Sequence, residues 1–163
     1  MFKRILVPLD GSRFGSRALQ YATEVAQHFG AEVVLMQVVK PTTPVATTTG
    51  IDAGMGSPAA AEIAMQAALE EDKRNSTRAK RYLSGKIRGM KPRDIKGSYQ
   101  VVVGDPAQSI MSFAQKEHID LIVMTTHGKS GLKRAFMGSV ADAVIRESGK
   151  PVLVVRPRTK SKK

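Results

Sequence analysis

Cysteine is absent from the 163-residue chain, which excludes disulfides and thiolate metal clusters together. Long apolar runs are missing as well, and nothing approaches the ~18 apolar residues that a membrane-spanning helix needs. Met1-Phe2-Lys3-Arg4 leads into the short run Ile5 to Leu9, too short for the core of an export signal. The expectation is a cytoplasmic protein without membrane contact. Aromatic residues make up 5% of the chain. None interleaves with the basic residues of the tail, so no base-stacking platform is expected there.

Acidic residues are scarce: 14 against 26 lysines and arginines leave a formal charge of +12. Part of the excess is in the tail, at Arg156, Arg158, Lys160, Lys162 and Lys163. Another part lies between Lys73 and Lys96, with Arg74, Arg78, Lys80, Arg81, Lys86, Arg88, Lys91 and Arg93. Such charge attracts polyanions, so nucleic acid is a candidate partner. Solvated helix faces and a disordered tail are the simpler explanation.

What is present is an α/β pattern in one domain, residues 1–156, followed by the basic tail 157–163. Residues 4–9 read as a buried strand ended by the turn Asp10-Gly11-Ser12. From Ser12 to Phe29, Ala18, Tyr21, Ala22, Val25, Ala26 and Phe29 recur at helical intervals, and Gly30 supplies a stop. Residues 32–39 form a second strand, whose near-continuous apolarity suits a parallel sheet covered on both faces. Residues 40–57, broken by Pro41, Pro44, Gly50, Gly54 and Gly56, read as a mobile loop. Ser57-Pro58 opens a long helix to about Arg88. A third strand at 97–103, a helix to about His118, a fourth strand at 119–124, a helix at 139–147 and a fifth strand at 151–155 complete the chain. The predicted architecture is an open, mainly parallel five-stranded sheet with helices on both faces, a Rossmann-like α/β fold. Ligands of such sheets bind beyond the carboxyl ends of the strands, where strand order reverses. The turns after strands one and four are therefore the places to look.

The segment after strand four, Thr125-Thr126-His127-Gly128-Lys129-Ser130-Gly131 onward to Gly138-Ser139, has the composition of an anion-binding loop. Its glycines allow close backbone approach, and a helix beginning near Ser139 aims free N–H groups at a phosphate. Lys129, Lys133 and Arg134 supply charge. A loop that needs glycine only for tight turns is the competing explanation. Gly128-Lys129-Ser130 is not a Walker motif, since its leading glycine would fall at Val123. No Gly-x-Gly-x-x-Gly follows strand one. His28, His118 and His127 are scattered, and no nucleophile or orienting carboxylate is identifiable beside His127. A binding or switch protein, with at most slow ATP hydrolysis, is expected rather than an efficient enzyme.

Three segments resemble the universal stress protein family. They are Ile5-Leu6-Val7-Pro8-Leu9-Asp10-Gly11-Ser12, His127-Gly128 with Gly138-Ser139 nine residues beyond, and Lys150-Pro151-Val152-Leu153-Val154-Val155. The ATP-binding branch of that family carries Gly, two residues, Gly, nine residues, then Gly-Ser or Gly-Thr. Here Thr125 stands at the first glycine. The resemblance implies that Asp10, with Pro8 and Leu9, lies by the adenosine and that Val38 offers backbone groups to the adenine edge. It implies that Gly104 and Met124 line the ribose side. Gly128, Gly138, Ser139 and Val140 would hold the phosphates of ATP, AMP or another adenine nucleotide, with a magnesium ion between them. Thr125, His127 and Lys129 complete the candidate site. The resemblance also implies a homodimer paired through the last strand, Val152, Leu153, Val154 and Val155, acting as a stress-response sensor on a further protein partner. A dimeric interaction module that takes no nucleotide is the alternative, and a nucleic-acid binder the reserve.

Overall fold

The computed structural model describes residues 1–13, 15–43, 58–90, 93–126 and 137–156. Most of the expected loop, 44–57, and the basic tail 157–163 lie outside the described residues. Nine elements alternate along the described chain: β1 (Arg4–Pro8), α1 (Gly15–Phe29), β2 (Glu32–Val39), α2 (Pro58–Met90), β3 (Gly97–Val103), α3 (Pro106–Lys116), β4 (Leu121–Thr125), α4 (Ser139–Glu147) and β5 (Val152–Val155). The strands form a single sheet in the order β3-β2-β1-β4-β5, and every pairing is parallel.

Successive strand residues face opposite ways, and the core divides accordingly. Ile5, Val7, Val33, Leu35 and Val123 pack with Ala18, Ala22 and Ala26 of α1 and Leu83 of α2. Leu6, Val34, Met36, Ile122 and Met124 pack with Ile110 and Ala114 of α3 and Ala141 and Val144 of α4. Two helices therefore cover each face. The alanines of α1, four residues apart, let that helix lie close on the central strands. Spacing puts Tyr21 on the same face, yet it is 54% exposed. Its ring lies at the margin of a stripe that only small residues fill.

α2 is unusual in its length. At 33 residues it spans about 50 Å, roughly twice the reach of a seven-residue strand such as β3. Only Ala68, Ala79, Leu83 and Met90 are buried along it. The first ten residues, from Pro58 to Ala67, are exposed except for the half-buried Ala64, and Ile63 is 68% exposed.

The start of the sheet is tied by a carboxylate. Asp120 Oδ2 accepts from the backbone N–H of Lys3 at 2.8 Å and of Arg4 at 2.9 Å, joining the entry of β1 to the entry of β4. The Lys3 N–H, then that of Arg4, holds the Asp120 carboxyl below the usual range. A depressed folded-state value stabilises the protein above the unfolded pKa of ~4, and that contribution is lost as pH falls through the folded value. Asp120→Asn is expected to cost about 0.5 kcal/mol at neutral pH, discounted for solvent screening. Urea unfolding at pH 7 and pH 3 should show the difference from wild type shrinking at the acidic end.

Candidate functional site

Strand order reverses between β1 and β4. The chain leaves β1 toward β2 on one side and leaves β4 toward β5 on the other, so their carboxyl ends diverge and a crevice opens. A cleft of about 790 Å³ lies there, within the range of small-molecule sites. Of the residues expected to form the site, Pro8, Leu9, Asp10, Val38, Met124, Thr125, Gly138, Ser139 and Val140 all line it. Gly104 does not. It faces a separate groove of about 580 Å³ with Asp105 and Gln108, and Pro106, two residues on, is what reaches the cleft from that turn. His127, Gly128 and Lys129 lie outside the described residues. His28 and His118 do not line the cleft.

At the end of β1, Asp10 folds back over the start of α1. Its Oδ1 accepts from Ser12 N–H at 3.0 Å, and Ser12 Oγ accepts from Gly15 N–H at 2.9 Å. Gly11 makes the turn with φ +82°, a conformation that favours glycine. Asp10 Oδ2 is buried and has no hydrogen-bond partner among the described residues, and the same holds for Gln37 Oε1 on β2. Both residues line the cleft. A buried acceptor without a donor costs about 1–3 kcal/mol. Either side chain would recover that cost by turning its oxygen to an N–H or O–H donor in the cleft.

At the end of β4, Gly138 N–H donates to Thr126 O at 2.8 Å, which ties the start of α4 to the end of β4. A Cβ on Gly138 would stand 2.9 Å from the same oxygen. Glycine is needed here for backbone approach, since its φ is −65°, an angle open to any residue. Gly138 is the N-cap of α4 and no side chain caps that helix. The first backbone N–H groups of α4, from Ser139 onward, have no intrahelical acceptors, and Ser139, Val140 and Ala141 line the cleft. Thr125, the last residue of β4, lies beside Val155 of β5.

Sequence reasoning missed one wall. Asn75, Arg78, Ala79 and Tyr82 of α2 line the cleft, as do Gln37 and Lys40. Their helical spacing was visible, but it runs through a stretch of lysines and arginines that looks like any solvated face. Among the described residues no group of three or more His, Cys, Asp or Glu could hold a metal ion, and no helix is long and apolar enough to cross a membrane.

A doubly wound parallel sheet whose strand order reverses at a cleft defines an α/β protein of the Rossmann-like class. The model of the universal stress protein family matches residues 1–156. Universal stress protein MJ0531 of Methanocaldococcus jannaschii is 33% identical over 96% of this chain and 83% of its own length. The solved structure of protein MJ0577 superposes with a TM-score of 0.80, at 28% identity, covering 98% of this chain and 99% of that one. A family protein from Arabidopsis thaliana, solved with AMP bound, shares the fold with a TM-score of 0.62 at 15% identity, over 96% and 93% of the two chains. The chain belongs to the universal stress protein family.

Proposed function

We propose that this protein binds an adenine nucleotide, ATP in the first instance, in the cleft between the ends of β1 and β4, and that it acts as a dimeric switch in stress response. The observation that carries the reading is the pairing, in one cleft, of two buried acceptors lacking donors with a helix N-terminus lacking a cap. A nucleotide complements both. Its ribose hydroxyls and adenine amino group are donors for Asp10 Oδ2 and Gln37 Oε1, and its phosphates suit the N–H groups of Ser139 and Val140. Met36, Ile110 and Met124 give the base an apolar bed, and Val38 offers its backbone to the adenine edge. Magnesium, when it accompanies the nucleotide, neutralises phosphate charge. The described residues form no carboxylate cluster for it, so the oxygens of Ser139, which lines the cleft, would be the chain's contribution to holding such an ion.

The homodimer pairs through β5. That strand forms one edge of the sheet with only β4 beside it, and its apolar residues Val152, Leu153 and Val154 are only half-buried. An uncovered apolar edge of this kind invites pairing with another chain.

One experiment tests both parts. Gently purified protein is weighed by native mass spectrometry, and its small molecules are then released with acid and identified. Two chains carrying close to one adenine nucleotide each are expected. Protein that is empty, and stays empty with added ATP and magnesium, would leave the interaction module as the correct reading. A monomer would remove β5 pairing.

A further inference from the structure

α2 turns one face to the cleft, and that face is held at both ends. Asp72 Oδ1 accepts from Thr42 N–H at 2.8 Å and from its hydroxyl at 2.6 Å, which fixes the helix to the chain leaving β2. One turn past Arg78, the Tyr82 hydroxyl lies 3.2 Å from Ser16 Oγ on α1. Between these anchors Ala79 is buried, so the helix backbone sits close to the sheet. Arg78 is carried on this fixed wall with its side chain exposed. Its guanidinium meets the neutral Oδ1 of Asn75 at 3.3 Å, and it takes part in no salt bridge among the described residues.

Such a cation, without a carboxylate and beside a cleft, leaves a charge for a ligand to meet. Among the described residues the other charged groups lining the cleft are Lys40 and Asp10, so two cations face one carboxylate, itself engaged by Ser12. The N-terminus of α4 adds partial positive charge from the other sheet face. The field in the cleft therefore favours an anion more highly charged than one helix end neutralises. A guanidinium is the group that grips phosphate oxygens in pairs and stays charged at any working pH.

We infer that Arg78 is the specificity-determining residue with which the α2 wall reads the charge of the ligand's phosphate chain. It selects nucleoside triphosphates and diphosphates over monophosphates and free nucleosides. This rests on the nucleotide reading above and adds a side-chain contact opposite the backbone contact of α4.

Calorimetric titration of ATP, AMP and adenosine into wild type, Arg78→Gln and Arg78→Lys tests it. For Arg78→Gln, ATP affinity should fall roughly tenfold, the scale of one charged hydrogen-bonded contact. AMP should lose less, and adenosine should change by less than about twofold. Arg78→Lys should recover part of the ATP affinity, and high salt should shrink the difference between the proteins. Melting temperatures should coincide, because the side chain is exposed. Equal losses for all three ligands would place Arg78 on the base or ribose and overturn the inference, as would no loss at all. Should wild type take no nucleotide, the reading of the preceding section fails separately, and sodium tripolyphosphate becomes the titrant. A weaker Arg78→Gln response then sustains the anion site, and an equal or absent response removes it.

Discussion

Leu83→Ala is expected to lower the stability of the protein by about 2–5 kcal/mol, the range for deleting a fully buried leucine. Leu83 is 0% exposed and joins α2, which lies on β2 and β3, to the core cluster that includes Val33 and Leu35 of β2. The helix buries three other residues, two of them alanines, so no large neighbour takes over. Urea unfolding should show a lower midpoint with an unchanged slope, the signature of lost stability rather than of an altered unfolded state. Nucleotide affinity should fall as well, because Asn75, Arg78 and Tyr82 reach the cleft only while α2 is seated.

Gly138→Val should reduce stability by about 1–3 kcal/mol, the usual cost of forcing atoms into a packed position. For a chain of this size the melting temperature would drop by roughly 3–10 °C. The contact responsible is the 2.9 Å approach of a Cβ to Thr126 O, and the carbonyl cannot retreat without giving up the 2.8 Å bond from Gly138 N–H. The same shift displaces the first turn of α4, so nucleotide affinity should weaken together with the melting temperature. Loss of binding in this variant therefore does not isolate a phosphate contact. Ser139→Ala removes a hydroxyl while leaving the backbone path intact, and it should melt within about 1 °C of wild type, as surface changes do.

The elements with strong local signals were legible in the sequence. β2, β3 and α4 begin and end where periodicity, glycine and proline place them. β4 starts two residues later than its apolar run. Ile119 is fully buried, but its N–H donates to Ala114 O at 3.0 Å, so it belongs to the wrapped end of α3. Hydrophobicity reports burial there and says nothing of strand geometry. α1 begins at Gly15 because the Asp10 and Ser12 side chains accept from the N–H groups of Ser12 and Gly15 and build a turn ahead of the helix. Chain topology was enough to point to the turns after strands one and four, whose described residues Asp10, Thr125 and Gly138 line one cleft. The α2 wall was not legible, because what turns Arg78 toward the cleft is the docking of Ala79 and Leu83, a tertiary fact. Gly104, which the family resemblance implies for the ribose side, lines the neighbouring groove, and Pro106 is the residue of that turn that lines the cleft.

The length of α2 divides it energetically. From Ala68 onward the helix is held at intervals by the sheet or by a polar anchor, and its opening requires breaking the core. From Pro58 to Ala67 little among the described residues holds the helix except its own backbone and the high helical propensity of its alanines. Its opening free energy is therefore near the low end of the molecule's range. One continuous helix thus joins a wall held by the core to a stretch held by little more than its own hydrogen bonds, so amide exchange along a single element should run from among the slowest in the molecule near Leu83 to among the fastest between Pro58 and Ala67.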